Sequence, residues 1–296
     1  MNIVITGSTG FIGKHLVENL NSDKKNKLFL IIRNESNINK IYFKNKSNIK
    51  IFTYKNSIKN LIKSLNKFKP ELLIHLATCY VQSHDEKQID DIIESNILFS
   101  TKVLNAITAS GCKMIINTST VWEFYNEKKI PVNLYASTKS AFDQILNYFQ
   151  SSENLKVINV YLSDTYGEKD KRNKIIPYLL KNSLSHKPIH LSQGKQKMQF
   201  IHINDIVDLY RQLINKINKI KKPVKLNYFP KGELISLKEL INTYLEVFPG
   251  KEKFKFGKIP YRKREVFNVH EGKSDFSINW KASTKLLDFF NTLNKS

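Results

Sequence analysis

The chain has 296 residues, with 48 Lys and Arg against 26 Asp and Glu, a formal charge of +22. At 41% hydrophobic and 11% aromatic residues it is not a disordered polymer, and no apolar run approaches the roughly 18 residues that span a bilayer. The charge alone would suit a polyanion partner. However, the excess is dispersed lysine, and the arginines are only Arg33, Arg172, Arg211, Arg262 and Arg264. Bidentate reading of bases and phosphates favours arginine, so no nucleic-acid partner is expected. Cys79 and Cys112 sit in apolar segments and make no disulfide framework. The N-terminus opens on a strand pattern without a basic then apolar leader. Both features point to a reducing, cytoplasmic setting, with no membrane insertion.

The first half alternates β-branched runs with helix-period runs. Strands are expected at Ile3 to Thr6, Leu28 to Ile32, Ile51 to Tyr54, Leu72 to Leu76, Met114 to Asn117 and Val157 to Leu162. Helices are expected at Ile12 to Asn21, Ile58 to Phe68, Ile89 to Ser110 and Tyr135 to Gln150. Asn34 to Lys50 reads as a polar loop. Strand–helix alternation with short connections predicts an α/β fold, a doubly wound parallel sheet covered on both faces. After Gly167 prolines and glycines become frequent and the pattern loosens, apart from a strand at Phe200 to Ile203 and a helix from Asp205 to Ile217. Residues 1–167 are therefore expected to form a dinucleotide-binding domain, with 198–222 returning to it. Residues 168–296 are expected to form a smaller α/β lobe over the carboxyl edge of the sheet, where ligands of such sheets bind. No clustered His/Cys spacing suggests a metal site.

Gly7-Ser-Thr9-Gly10-Phe11-Ile12-Gly13 follows the first strand and opens the first helix. In that context glycines let backbone approach a pyrophosphate held at a helix N-terminus. The second strand ends on Arg33, where an acidic residue would bind the adenosine ribose and select NAD(H). Arginine pairs instead with a 2′-phosphate, so NADP(H) is favoured. Tyr135 and Lys139 stand at i and i+4 on one helical face. A free phenol, with pKa near ~10, is a poor acid–base group at neutral pH, and a nearby ammonium makes it a better acid. The fifth strand runs into Thr118, Ser119 and Thr120, any of which could hold a substrate oxygen for the tyrosine. His75, at a strand end, reads as structural.

Together these motifs resemble an extended short-chain dehydrogenase/reductase of the NAD-dependent epimerase/dehydratase family. The likeness covers Gly7 to Gly13, His75-Leu76-Ala77-Thr78, Asn96, Thr118, Tyr135 with Lys139, Tyr166-Gly167, Phe200 to Asp205, Arg262 to Glu265 and Asn279-Trp280. It implies a nucleotide-sugar substrate, a homodimer through the helices at 89–110 and 135–150, and Thr118 as the hydroxyl residue, four before the aromatic of the turn Val121-Trp122-Glu123. It further implies a cofactor bound by Leu76, Ala77, Thr78, Asn96 and Leu162, and a substrate bound by Tyr80, Thr118, Ser119, Asp164, Lys174, Pro177 and Arg262.

Within the family the texture is similar to CDP-abequose and CDP-paratose synthases, through Ile74 to Tyr80, Asn117-Thr118, Lys174 to Tyr178 and Gly194 to Gln196. That likeness implies NADPH-dependent reduction of a 4-keto-6-deoxy or 3,6-dideoxy sugar destined for a surface polysaccharide. Dehydratases of the family carry Asp-Glu directly after the catalytic threonine, whereas Ser119-Thr120 stand here. The chain also departs at Met198-Gln199, where relatives have Arg-Asp, and at Tyr161, where an arginine is common. An NAD-using 4-epimerase and a non-catalytic NADPH-binding protein remain as alternatives.

Overall fold

The computed structural model describes residues 1–33, 47–185 and 187–295. In chain order the sheet elements of the first half are β1 (Asn2–Thr6), β2 (Lys27–Arg33), β3 (Ile49–Tyr54), β4 (Leu72–His75), β5 (Met114–Thr120) and β6 (Lys156–Leu162). Between them lie α1 (Phe11–Ser22), α2 (Ile58–Phe68), α3 (Gln88–Ile93), α4 (Ser100–Ala109) and α5 (Leu134–Ser152). The order across the sheet is β3, β2, β1, β4, β5, β6 and then β10 (Val224–Tyr228), with all pairings parallel. Most of the expected polar loop lies outside the described residues, and its last two, Ile49 and Lys50, open β3.

Alternate residues of each strand face opposite layers. Ile3, Ile5, Leu28 and Leu30 pack into one core with α1 and α7 (Ile203–Asn218). Val4, Phe29, Ile31 and Ile115 pack into the other, with α2, α4 and α5. Burial on both faces explains why these strands read as continuous apolar runs.

The long helix expected over 89–110 is interrupted. A π-helical turn, Glu94–Phe99, joins α3 to α4. Such wide turns are frequent at functional sites, and this one carries the buried Asn96.

The second half begins with β7 (Asp164–Tyr166) and α6 (Ile175–Lys181), followed by β8 (Ile189–His190) and β9 (Lys197–His202). After α7 and β10 come β11 (Glu233–Ser236), α8 (Leu237–Leu245), β12 (Phe254–Lys255) and α9 (Leu286–Asn294). These elements build a third core around Tyr166, Phe200, Tyr244, Phe289 and Phe290. Within it β9 pairs parallel with β7 and antiparallel with β11. The chain returns to the main sheet twice, through α7 and through β10, a strand not expected from the sequence. Asp205, in the first turn of α7, then clasps the tail. Its carboxylate accepts from the Ser283 hydroxyl and the Thr284 amide, while its carbonyl accepts from the Trp280 indole.

Candidate functional site

A cavity of about 460 Å³ opens at the carboxyl ends of β1, β2, β4, β5 and β6. Its floor is the glycine turn. Gly7 holds φ +69°, and a Cβ there would lie 2.6 Å from the Ala77 amide nitrogen. A Cβ on Gly13 would lie 2.1 Å from the Gly7 carbonyl oxygen. Bare backbone is therefore needed for the turn to fit between β4 and α1.

Helix α1 is capped by Gly10, which offers no side-chain acceptor, and its first turn carries no acidic residue. Its leading N–H groups thus face the cavity without a protein partner of opposite charge, an arrangement that suits a phosphate. The Ser163 hydroxyl is buried in the wall and finds no partner in the protein. A dinucleotide fits this cradle. Thr9, Phe11, Ile12, Leu76, Ala77, Thr78 and Leu162 line it as the sequence suggests, and Arg33 stands at its rim at the end of β2.

Asn96 lies behind the cavity wall rather than in it. Its amide oxygen accepts from the Thr78 hydroxyl (3.1 Å) and the Cys79 amide (2.7 Å). Its NH2 donates to the Cys79 carbonyl (3.1 Å) and the Thr138 hydroxyl (2.9 Å). It therefore staples the loop after β4 to α5. His75 is held neutral between the hydroxyls of Thr6 (2.8 Å) and Ser100 (2.9 Å). Burial, with the nearby Lys139 charge, pushes its pKa down to about 3.

Tyr135 and Lys139 project from the first turns of α5, whose N-cap Asn133 accepts from the Ala136 amide. Tyr135 is 9% exposed and Lys139 4%. Burial, then Tyr80 and Glu123, push the Tyr135 phenol above its usual range, while hydrogen bonds with the hydroxyls of Thr78 and Thr120 oppose this. Burial lowers Lys139 to about 8, against the raising effect of Glu123 and Asp143.

All three hydroxyls at the end of β5 line the cavity, but they differ in their partners. Thr118 shares a 2.5 Å hydrogen bond with the buried Tyr210 hydroxyl of α7. Ser119 donates to Glu123. Thr120 meets Tyr135.

The outer wall is aromatic. Tyr80 packs edge-on against Tyr135 at 5.0 Å between ring centroids and lies 6.1 Å from Trp122. Lys174 bonds Asp164 at 2.7 Å and sits 5.2 Å from the Tyr80 ring centroid. Two expected substrate residues fall elsewhere. Pro177, in α6, lines a separate surface depression with Tyr178. Arg262 stays at the margin, its guanidinium 5.6 Å from the Trp122 ring and paired at 2.5 Å with Glu265.

Conversely, the structure adds residues with no role assigned from sequence. Arg172 lines the cavity with its guanidinium 4.1 Å from the Phe11 ring, held by both oxygens of Asp170. Trp122 forms part of the wall, and Glu123 lies beneath it, fully buried. A charged residue in a run otherwise made of hydroxyls and apolar groups was the available signal for Glu123. Among the described residues, no group of three or more His, Cys, Asp or Glu is placed to hold a metal ion, and no helix is long and apolar enough to cross a membrane.

Residues 3–228 match the model of the NAD dependent epimerase/dehydratase family. CDP-abequose synthase of Salmonella typhimurium is 27% identical over 290 residues, covering 94% of this chain and 92% of that protein. A dTDP-D-glucose 4,6-dehydratase of Dictyostelium discoideum is 29% identical over 243 residues, covering 72% of this chain and 55% of that protein. Among solved structures, UDP-glucuronic acid 4-epimerase from Bacillus cereus, in complex with UDP-glucuronic acid and NAD, superposes with a TM-score of 0.80. It is 19% identical and covers 100% of this chain and 98% of that one, a likeness of fold. With the glycine turn under a sheet-edge cavity and Tyr135 and Lys139 on the helix beside it, the chain belongs to the NAD dependent epimerase/dehydratase family.

Proposed function

We propose that the protein is an NADPH-dependent nucleotide-sugar 4-ketoreductase acting on a nucleoside-diphospho-4-keto-6-deoxy sugar, including 3,6-dideoxy forms. The observation that carries this reading is the end of β5: Ser119 and Thr120 follow Thr118 and line the cavity, where a dehydratase carries its acid–base pair, and neither can do that work at neutral pH. Arg33, at the cavity rim, suits NADPH, which a reductase consumes, over the retained NAD of an epimerase. The long likeness to a CDP-abequose synthase supports the same direction.

A nicotinamide cofactor, once bound over Gly7 to Gly13, supplies the hydride. The residues of the chain do the rest. Tyr135 donates its proton to the sugar O4. Thr118 and Thr120 accept or donate at the same oxygen and hold it in line. Lys139 keeps positive charge one helical turn away, which stabilises the phenolate left behind. Tyr80 and Trp122 offer ring faces to the deoxygenated, apolar side of the sugar. Arg172 and Arg262 supply charge for pyrophosphate oxygens, and Arg33 favours a 2′-phosphate. The elements of the second half outside α7 and β10 cover the sugar nucleotide.

Both cysteines are free thiols, in keeping with a reducing cytoplasm. Ile89, Ile93 and Leu98 of the interrupted helix and Tyr148 of α5 are exposed apolar groups suited to pairing two copies. Sedimentation equilibrium of the purified chain tests that assembly.

The function is tested by incubation with NADPH or NADH and a panel of CDP-, dTDP-, UDP- and GDP-4-keto-6-deoxy sugars, reading cofactor absorbance and product stereochemistry. Stoichiometric NADPH loss with one of them is expected. Tyr135→Phe should lose about 10²–10⁴ in turnover while still binding NADPH. Interconversion of C4 epimers without net cofactor oxidation would overturn the reading. An NADH preference unchanged in Arg33→Ala would overturn the assigned cofactor.

A further inference from the structure

Tyr210 is a buried phenol with one hydrogen-bond partner among the described residues, the hydroxyl of Thr118 at 2.5 Å. From Ile206 to Ile217 the buried face of α7 is otherwise apolar. The core that Tyr210 joins includes Ile116, Val160 and Leu213, where a phenylalanine would pack as well. A buried tyrosine in such a place is explained by what its hydroxyl holds.

Thr118 reaches the phenol because side chains alternate along β5. It continues the row of Ile116 on the face that α7 covers, and stands opposite Val160 of β6. Thr118 lines the cavity, whereas Tyr210 lies behind it, fully buried. Each hydroxyl has one proton to give. If Thr118 gave its proton to Tyr210, the phenol proton would be stranded in an apolar core. If Tyr210 donates instead, its proton is used and the Thr118 proton is left to turn toward the cavity. A phenol is also more acidic than an alcohol, and so the better donor. The next hydroxyl of the row is engaged differently, since the Thr120 oxygen accepts from the Trp122 amide at 3.3 Å.

We propose that Tyr210 is a positioning residue for the reduction: its phenol donates to the Thr118 hydroxyl and so aims the Thr118 proton at the ketone oxygen of the sugar. This rests on the reductive reading. The ketone oxygen gains negative charge as hydride arrives, and a donor already polarised by Tyr210 strengthens with that charge. The gain is made in the transition state rather than in ground-state binding, so it belongs to kcat. Tyr210 itself acts only through Thr118.

Two measurements test it. The first needs no turnover: thermal unfolding of the wild-type chain, Tyr210→Phe, Thr118→Val and the double variant. Thr118→Val keeps the side-chain shape but strands the buried phenol, and adding Tyr210→Phe removes the stranded group. The double variant should therefore melt above Thr118→Val. A double variant that melts no higher would overturn the pairing.

The second measurement is steady-state kinetics with NADPH and a 4-keto sugar the wild type accepts. Tyr210→Phe should lower kcat by about tenfold, the worth of one neutral hydrogen bond, with KM for sugar and for NADPH within about twofold. Thr118→Val should cost about 10²-fold or more, and adding Tyr210→Phe to it should change kcat by less than about twofold. Wild-type kcat in Tyr210→Phe would overturn the proposal. So would the same loss in both backgrounds, which would mean that Tyr210 merely supports the core. If the wild type reduces no 4-keto sugar, the reductive reading falls, while the unfolding cycle still decides whether Tyr210 and Thr118 are paired.

Discussion

Replacing Gly13 by alanine places a Cβ 2.1 Å from the Gly7 carbonyl oxygen and 2.7 Å from the Ser8 Cα. Both obstacles are backbone, so no side chain can swing aside, and α1 must separate from the glycine turn. Overpacking of this kind costs about 1–3 kcal/mol. For a chain of this size that is a melting-temperature drop on the order of 2–5 °C. The turn that moves also presents the cradle, so NADPH affinity should fall by about tenfold or more, equal to about 1.4 kcal/mol.

Gly111→Ala is the matched control. Gly111 holds φ +83° with nothing within 4 Å of an added Cβ. It should show only the left-handed backbone penalty, about 1–2 kcal/mol, and unchanged cofactor binding. The assays are differential scanning fluorimetry and titration of reduced-nicotinamide fluorescence. If Gly13→Ala binds NADPH like wild type and melts no lower than Gly111→Ala, the glycine turn is not the cofactor cradle.

Asn96→Ala should destabilise by about 1–3 kcal/mol for the Cys79 groups left unpaired, and should weaken NADPH binding because Thr78 loses its anchor. Urea unfolding and the same fluorescence titration check it, and a loss of stability with unaltered affinity would detach Asn96 from the cofactor site. His75 makes stability pH-dependent. Its folded value of about 3 lies below the model-peptide value of 6.5, so the unfolded chain binds the proton more readily. Its penalty is absent above about pH 6.5 and grows as pH falls toward 3. His75→Asn should therefore flatten the acid limb of a melting-temperature profile, and an unchanged slope would show that other groups carry it.

Much of the fold was legible because its signals are local. Strands buried on both faces read as unbroken apolar runs, and the spacing from Gly7 to Gly13 has meaning only between a strand and a helix. Tyr135 and Lys139 announce a shared face by their separation. Less legible was anything that depends on an irregular turn or a small change of phase. The π-turn at Glu94–Phe99 leaves the apolar period of the long helix nearly intact, so Asn96 could be assigned to the cofactor by resemblance but not to its actual partners, Thr78, Cys79 and Thr138. Pro177 and Arg262 look equally plausible as substrate ligands in sequence, and only the tertiary structure sets Pro177 on a separate depression and leaves Arg262 at the cavity margin, paired with Glu265.

By itself, the sequence determined the parallel doubly wound sheet, the glycine cradle and the tyrosine–lysine pair, since each follows from periodicity or from spacing within a few turns of chain. Tertiary structure alone decided the seventh strand at 224–228, the distinct partners of Thr118, Ser119 and Thr120, and the burial of Glu123. The physical reason is distance along the chain. Tyr210 meets Thr118 across 92 positions, and Lys225 reaches Asp143 from β10. No local pattern reports a contact that exists only after the chain has closed on itself.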